Sequence, residues 1–140
     1  MALGLGTLFA IDYIRYQKSP EYQVMKEYER MEQVYAEDTY GGSTPEETLN
    51  LFIDALKRGD VDLASKYFVV DKQEEQKIGL QTLKDKDSFT MMLEDLGRVR
   101  MTKKTSTEAF FTLIGTDGIA EAELVMHKNP LTNVWKITEL

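Results

Sequence analysis

The chain has 140 residues, 42% hydrophobic and 29% charged, a balance that excludes a largely disordered polypeptide and suits one folded domain rather than two. Seventeen Lys and Arg against twenty-four Asp and Glu give a net charge of -7, so a phosphate backbone would be repelled and no nucleic-acid partner is expected. The absence of cysteine excludes disulfides, thiolate metal sites and a cysteine nucleophile. A single His leaves the common nucleophile-base and metal-ligand constellations without their parts, so neither a catalytic set, a metal nor a cofactor is expected.

The first element is an apolar run, residues 2–11 (ALGLGTLFAI), closed by Asp12. As a helix it rises about 15 Å against a hydrocarbon core of about 30 Å, half a span. It lacks the basic region and cleavage site of a secretory signal. One reading makes it the distal end of a membrane anchor, with Tyr13, Arg15, Tyr16 and Lys18 forming an interfacial belt. The other makes it a short apolar helix or strand docked on the domain or a partner.

Ser19 and Pro20 then open a helix over 20–35, with Ser19 as cap. Val24, Tyr28, Met31 and Tyr35 fall on one of its faces, which either packs on the protein's own domain or offers Tyr28, Met31 and Tyr35 to a protein partner or second copy. Residues 38–43 (DTYGGS) read as a flexible break because of the paired glycines. The expected organisation is an apolar segment 1–18, a linker helix and break 19–43, and a domain 44–140.

Thr44-Pro45-Glu46-Glu47 is a capping box with Pro at the first helical position, and Leu49, Phe52, Ile53 and Leu56 keep helical spacing up to Gly59. Burying those four side chains is worth about 6–12 kcal/mol as an upper bound. Asp60 caps a second short helix with Leu63, Ala64, Tyr67 and Phe68 inward. A weaker helix over 71–84 is interrupted by Gly79, and a better one runs from a Ser88 cap through Phe89, Met92, Leu93 and Leu96 to Gly97. The period then changes to two, giving strands near 98–106, 108–115, 119–128 and 133–139 joined by turns at 115–118 and 129–132, an antiparallel meander. Trp135 and Ile137 are expected to face the helix hairpin. The fold class is α+β, N-terminal helices on a curved antiparallel sheet of about four strands.

The run TPEETLNLFIDALKRGDVDLASKYF (Thr44 to Phe68), followed by strands and a terminal VWKI, resembles the nuclear-transport-factor-2-like superfamily of cystatin-like cone folds. More narrowly, it resembles small membrane-anchored bacterial domains of unknown function related to lumazine-binding-like proteins. The resemblance implies a curved sheet around helices and a ligand pocket lined by Phe52, Tyr67, Phe68, Phe89, Phe111 and Trp135. Enzymatic members place an Asp or His inside the cone. Strand parity here puts Ala120, Ala122, Leu124 and Met126 towards the helices and Glu121, Glu123, Val125 and His127 outward, towards solvent or Arg98 and Arg100.

Asp60, Asp62 and Asp71 have three positions of a calcium loop, but Ala64 and Ser65 occupy places that need an oxygen ligand and a glycine, so these residues read as a helix cap and its first turn. Arg98, Arg100, Lys103 and Lys104 read as a charged edge strand, with an acidic partner as the alternative. The expected function is a non-enzymatic, membrane-tethered ligand- or protein-binding domain on the extracytoplasmic face; the alternatives are an isomerase or dehydratase using the cone, and a soluble cytoplasmic protein.

Overall fold

The computed structural model describes residues 3–140, which divide into two units, the residues up to Glu37 and Asp38–Leu140. The first holds helices α1 (Leu3–Gln17) and α2 (Pro20–Glu37). Pro20 has no N–H to continue a helix, so the chain breaks there and Ser19 Oγ accepts the Tyr22 N–H at 3.2 Å as a new cap. The Tyr16 and Tyr22 rings meet edge to face across the break at 5.2 Å. No residue of α2 is buried, and among the described residues of α1 none is buried either.

The second unit is α+β. Four helices, α3 (Pro45–Lys57), α4 (Val61–Ser65), α5 (Gln73–Asp85) and α6 (Phe89–Arg98), precede strands β1 (Val99–Lys104), β2 (Glu108–Ile114), β3 (Ala120–Lys128) and β4 (Trp135–Glu139). The strands form one antiparallel sheet in sequence order, open and not strongly curled. Thr44 Oγ1 accepts the Glu47 N–H at 3.1 Å, the forward half of the capping box. The reverse half shifts by one residue, because Glu47 reaches the N–H and hydroxyl of Ser43. Gly59 turns the chain at φ +65°, and Asp60 caps α4 through the Leu63 N–H at 3.0 Å. Two stop and start signals behave differently: α6 runs through Gly97 to Arg98, and Ser88 makes no capping bond.

Alternation along β2 buries Ala109, Phe111 and Leu113, and the first two meet Phe52, Leu56, Phe68, Leu96, Leu124 and Met126 in a single core. Trp135 and Ile137 are both buried there, as their strand register requires. Lys136, between them, points the other way and is also buried, with 2% of its surface exposed. Its Nζ donates to Asp38 Oδ1 at 3.0 Å, to the Tyr40 carbonyl at 2.6 Å and to the Lys66 carbonyl. An ammonium has three protons, and these acceptors use all of them.

Residues 38–43 therefore belong to the body and are not a flexible break. Trp135 N–H donates to the Gly42 carbonyl at 3.0 Å, and Thr48 Oγ1 accepts the Gly42 N–H at 2.8 Å while donating to the Trp135 carbonyl at 2.9 Å. The glycines serve close approach: a Cβ on Gly41 would lie 2.4 Å from the Trp135 carbonyl oxygen, and one on Gly42 2.4 Å from Glu47 Cβ.

Burial lowers the Lys136 pKa from its ordinary value, and the Asp38 carboxylate opposes that shift. Removing either partner strands a buried charge. Lys136→Met and Asp38→Ala are each expected to cost about 3–5 kcal/mol in urea unfolding, and the double variant clearly less than the sum of the two. Additive losses would show that the two groups are not coupled.

Candidate functional site

The body carries a cavity of about 390 Å³ between α6 and the sheet. Helix α6 supplies Met91, Met92, Asp95 and Leu96, one face at helical spacing. Opposite them stand Leu113 of β2 and Ala122, Glu123 and Leu124 of β3, with Leu140 beside the end of β4. Leu96, Leu113 and Leu124 are buried and form its floor, while Met91, Ala122 and Glu123 are exposed and form its rim. The lining is mainly apolar, and it includes two acidic residues, Asp95 on α6 and Glu123 at the rim of β3. Asp95 is paired with Arg98 at 2.6 Å, whereas Glu123 enters no ion pair among the described residues.

None of the six aromatic residues expected to line a pocket lines this one. Phe52, Tyr67, Phe68, Phe111 and Trp135 are packed inside the core, with Phe52 and Phe68 edge to face at 5.5 Å. Phe89 is half-buried against the same core. Burial raises the Tyr67 pKa. The methionines of α6, read from sequence as core packing or not singled out, form the apolar wall instead. No single residue type marks this cavity in the sequence.

The outward row on β3 meets neighbours other than Arg98 and Arg100. His127 Nε2 lies 2.8 Å from Glu108 Oε1, and its Nδ1 lies 3.2 Å from Thr138 Oγ1, so three strands meet at one imidazole. Thr138 donates its hydroxyl to the Val125 carbonyl at 3.0 Å, so that proton is already committed and the group is not poised as a nucleophile. Arg98 is held by Asp95, and Arg100 donates to the carbonyls of Gly97 and Val99. Lys103 and Lys104 sit over the rings of Phe110 and Trp135.

The three aspartates with partial calcium-loop spacing remain apart in role. Asp60 is a cap, and Asp62 pairs with Lys77 at 2.7 Å, which lowers its pKa. No group of three or more acidic or His side chains arranged for a metal ion occurs among the described residues.

In the first unit, Tyr28 is 73% exposed while Met31 and Tyr35 are half-buried. Of the apolar run 2–11, Ala2 lies outside the described residues. Leu8, Phe9 and Ile11 are exposed on α1.

His127 and Glu108 keep 45% and 41% of their side-chain surfaces exposed, so solvent screens the pair. His127→Ala is expected to change the unfolding free energy by less than about 1 kcal/mol, read from a urea titration at neutral pH. A loss above about 2 kcal/mol would show that the three-strand junction at the imidazole supports the fold.

No known protein family, curated protein or solved structure matches the chain.

Proposed function

We propose that this chain is a non-enzymatic binding protein whose body takes an apolar group in the cavity between α6 and the sheet, and whose N-terminal helices tether it to a membrane. The observation that carries the reading is the cavity itself, a mainly apolar space with an exposed rim beside the core. Its Met91 and Met92 walls suit an adaptable site, because methionine side chains reorganise at low cost. A ligand that buries two leucine-sized groups gains about 3–6 kcal/mol, which corresponds to weak, reversible binding once the cost of association is subtracted. An isomerase or dehydratase would need an acid or base aimed into the space; Asp95 is held by Arg98, His127 stands with Glu108 and Thr138, and Glu123 stands at the exposed rim. Kinship with the nuclear-transport-factor-2-like superfamily belongs to the same proposal, supported by a helix hairpin ahead of a four-stranded antiparallel sheet.

The tether rests on α1. Leu8, Phe9, Ile11 and Ile14 are exposed on it. No helix among the described residues is long and apolar enough to cross a membrane, and α1 at 15 residues rises about 22 Å, so the proposed mode is insertion into one leaflet from the extracytoplasmic side.

The neutral fluorophore N-phenyl-1-naphthylamine tests the cavity. The full chain is expected to bind it saturably with enhanced emission, and Ala122→Phe, a filling change at an exposed position, is expected to weaken binding at least about tenfold with an unchanged circular dichroism spectrum. Equal binding by both proteins would remove the cavity from consideration.

Deletion of residues 1–18 tests the tether. It should abolish sedimentation with phosphatidylcholine and phosphatidylglycerol vesicles while moving the melting temperature of the body by less than about 2 °C, well under 1 kcal/mol for a domain of this size. A large drop in melting temperature would mean that α1 is a structural part of the body.

A further inference from the structure

The sheet has a second face, turned away from the core, whose residues stand in rows that cross the strands. Ala109, Phe111 and Leu113 of β2 point into the body, so Phe110, Thr112 and Ile114 point out, and all three are half-buried. Pairing extends these positions sideways. One row is Arg100, Thr112 and Glu123, and the next is Lys103, Phe110 and Val125. Two contacts place these side chains on the outward side: Thr112 Oγ1 lies 3.1 Å from Thr102 Oγ1, and Lys103 Nζ lies over the Phe110 ring at 5.5 Å. A centre of small and apolar side chains on β2 is therefore flanked by cations on β1 and by a carboxylate on β3.

The two charges of the first row have no ionic partner. Arg100 gives one nitrogen to the Gly97 and Val99 carbonyls, and neither it nor Glu123 enters an ion pair among the described residues. Within one chain they stand two strand spacings apart, about 10 Å, too far to meet. A second copy closes that distance. When two such faces meet about a two-fold axis running along β2, β1 of each copy lies over β3 of the other, and each row faces the same row. Arg100 of either copy then stands opposite Glu123 of the other, while Thr112 and Phe110 meet their own counterparts near the axis. An axis across the strands would stack β1 on β1 and set like charges together. The order of charges across the sheet thus selects one way of pairing. Glu108, at the end of β2, is engaged by His127 of its own chain at 2.8 Å. The sheet is open and not strongly curled, as packing of one sheet on another requires.

We propose that the outward face of β1–β3 binds a second copy of this chain about that two-fold axis, with Phe110 and Thr112 at the centre and two reciprocal contacts between Arg100 and Glu123 at the sides. The proposal goes beyond the binding reading above and does not use the cavity. Three strands at about 4.8 Å spacing and the seven residues of β2 at about 3.4 Å each give a face of roughly 14 by 24 Å, or roughly 700 Å² over two copies. An interface of that size belongs with weak, reversible contacts, so the dimer depends on concentration and on its charges.

Sedimentation velocity of the full chain, from about 10 μM to about 500 μM at low salt, tests the proposal. The chain is expected to pass reversibly from monomer to dimer over that range. Arg100→Glu and Glu123→Arg, both at exposed positions, are each expected to raise the dissociation constant at least about tenfold with an unchanged circular dichroism spectrum, because each sets two like-charge pairs across the axis. An equimolar mixture of the two variants is expected to recover dimer at close to the original strength, since both pairs then join opposite charges. A chain that stays monomeric throughout overturns the proposal. Dimerisation that both reversals leave unchanged, as association through α1 would be, overturns it as well. Reversals that weaken the dimer without recovery in the mixture overturn the pairing of Arg100 with Glu123 and with it the axis.

Discussion

The body is organised around a charge that it cannot solvate. Lys136 is carried inward by a strand whose other side chains, Trp135 and Ile137, must be buried, so its ammonium needs acceptors supplied by protein. Two segments provide them: Asp38 and Tyr40 at the entrance to the body, and Lys66 at the end of α4. A buried ion pair is a weak source of net stability but a strong source of specificity in a structure where breaking it leaves an orphan charge. Here it fixes which segment lies over β4. The approach of Gly41 to the Trp135 main chain goes with the same arrangement, because a Cβ there would meet the Trp135 carbonyl oxygen.

Covering β4 on its outer border has a consequence for the sheet. Residues 42 and 67–69 take up the hydrogen-bonding groups that a terminal strand would expose at Trp135 and Ile137, so β4 is covered there as an interior strand would be. The cavity lies elsewhere, between α6 and the stretch of the sheet that includes Leu113, Ala122 and Leu124.

Much of the fold was legible because it is local. The Thr44-Pro45 start, the Gly59-Asp60 corner and the change of period after Arg98 each depend on residues within a few positions of one another, and the strands and their turns lie where alternation and turn chemistry put them. Lys136 was not legible. A period of two places it on the outward face beside Trp135, and what buries it is Asp38, separated by 98 positions. The paired glycines misled for a related reason: freedom and close approach select the same residue, and only the partner backbone distinguishes them. The aromatic residues assigned to a pocket fill the core instead, since large apolar side chains close space where helices and sheet meet at native packing density. The cavity lies at the margin of that contact, where no single residue announces it.

The direct succession of Glu37 and Asp38 bears on mechanics. Helix α2 ends at Glu37, and the next residue is the buried partner of Lys136. Any tension transmitted along the N-terminal helices therefore enters the body at its least hydrated electrostatic contact. It is resisted next by the hydrogen bonds of Gly42 and Thr48 to the main chain of Trp135. The first bonds loaded are those that clamp the entrance of the body to its last strand. Extraction by force would begin with the rupture of a desolvated ion pair, while the helix hairpin and the cavity wall still hold.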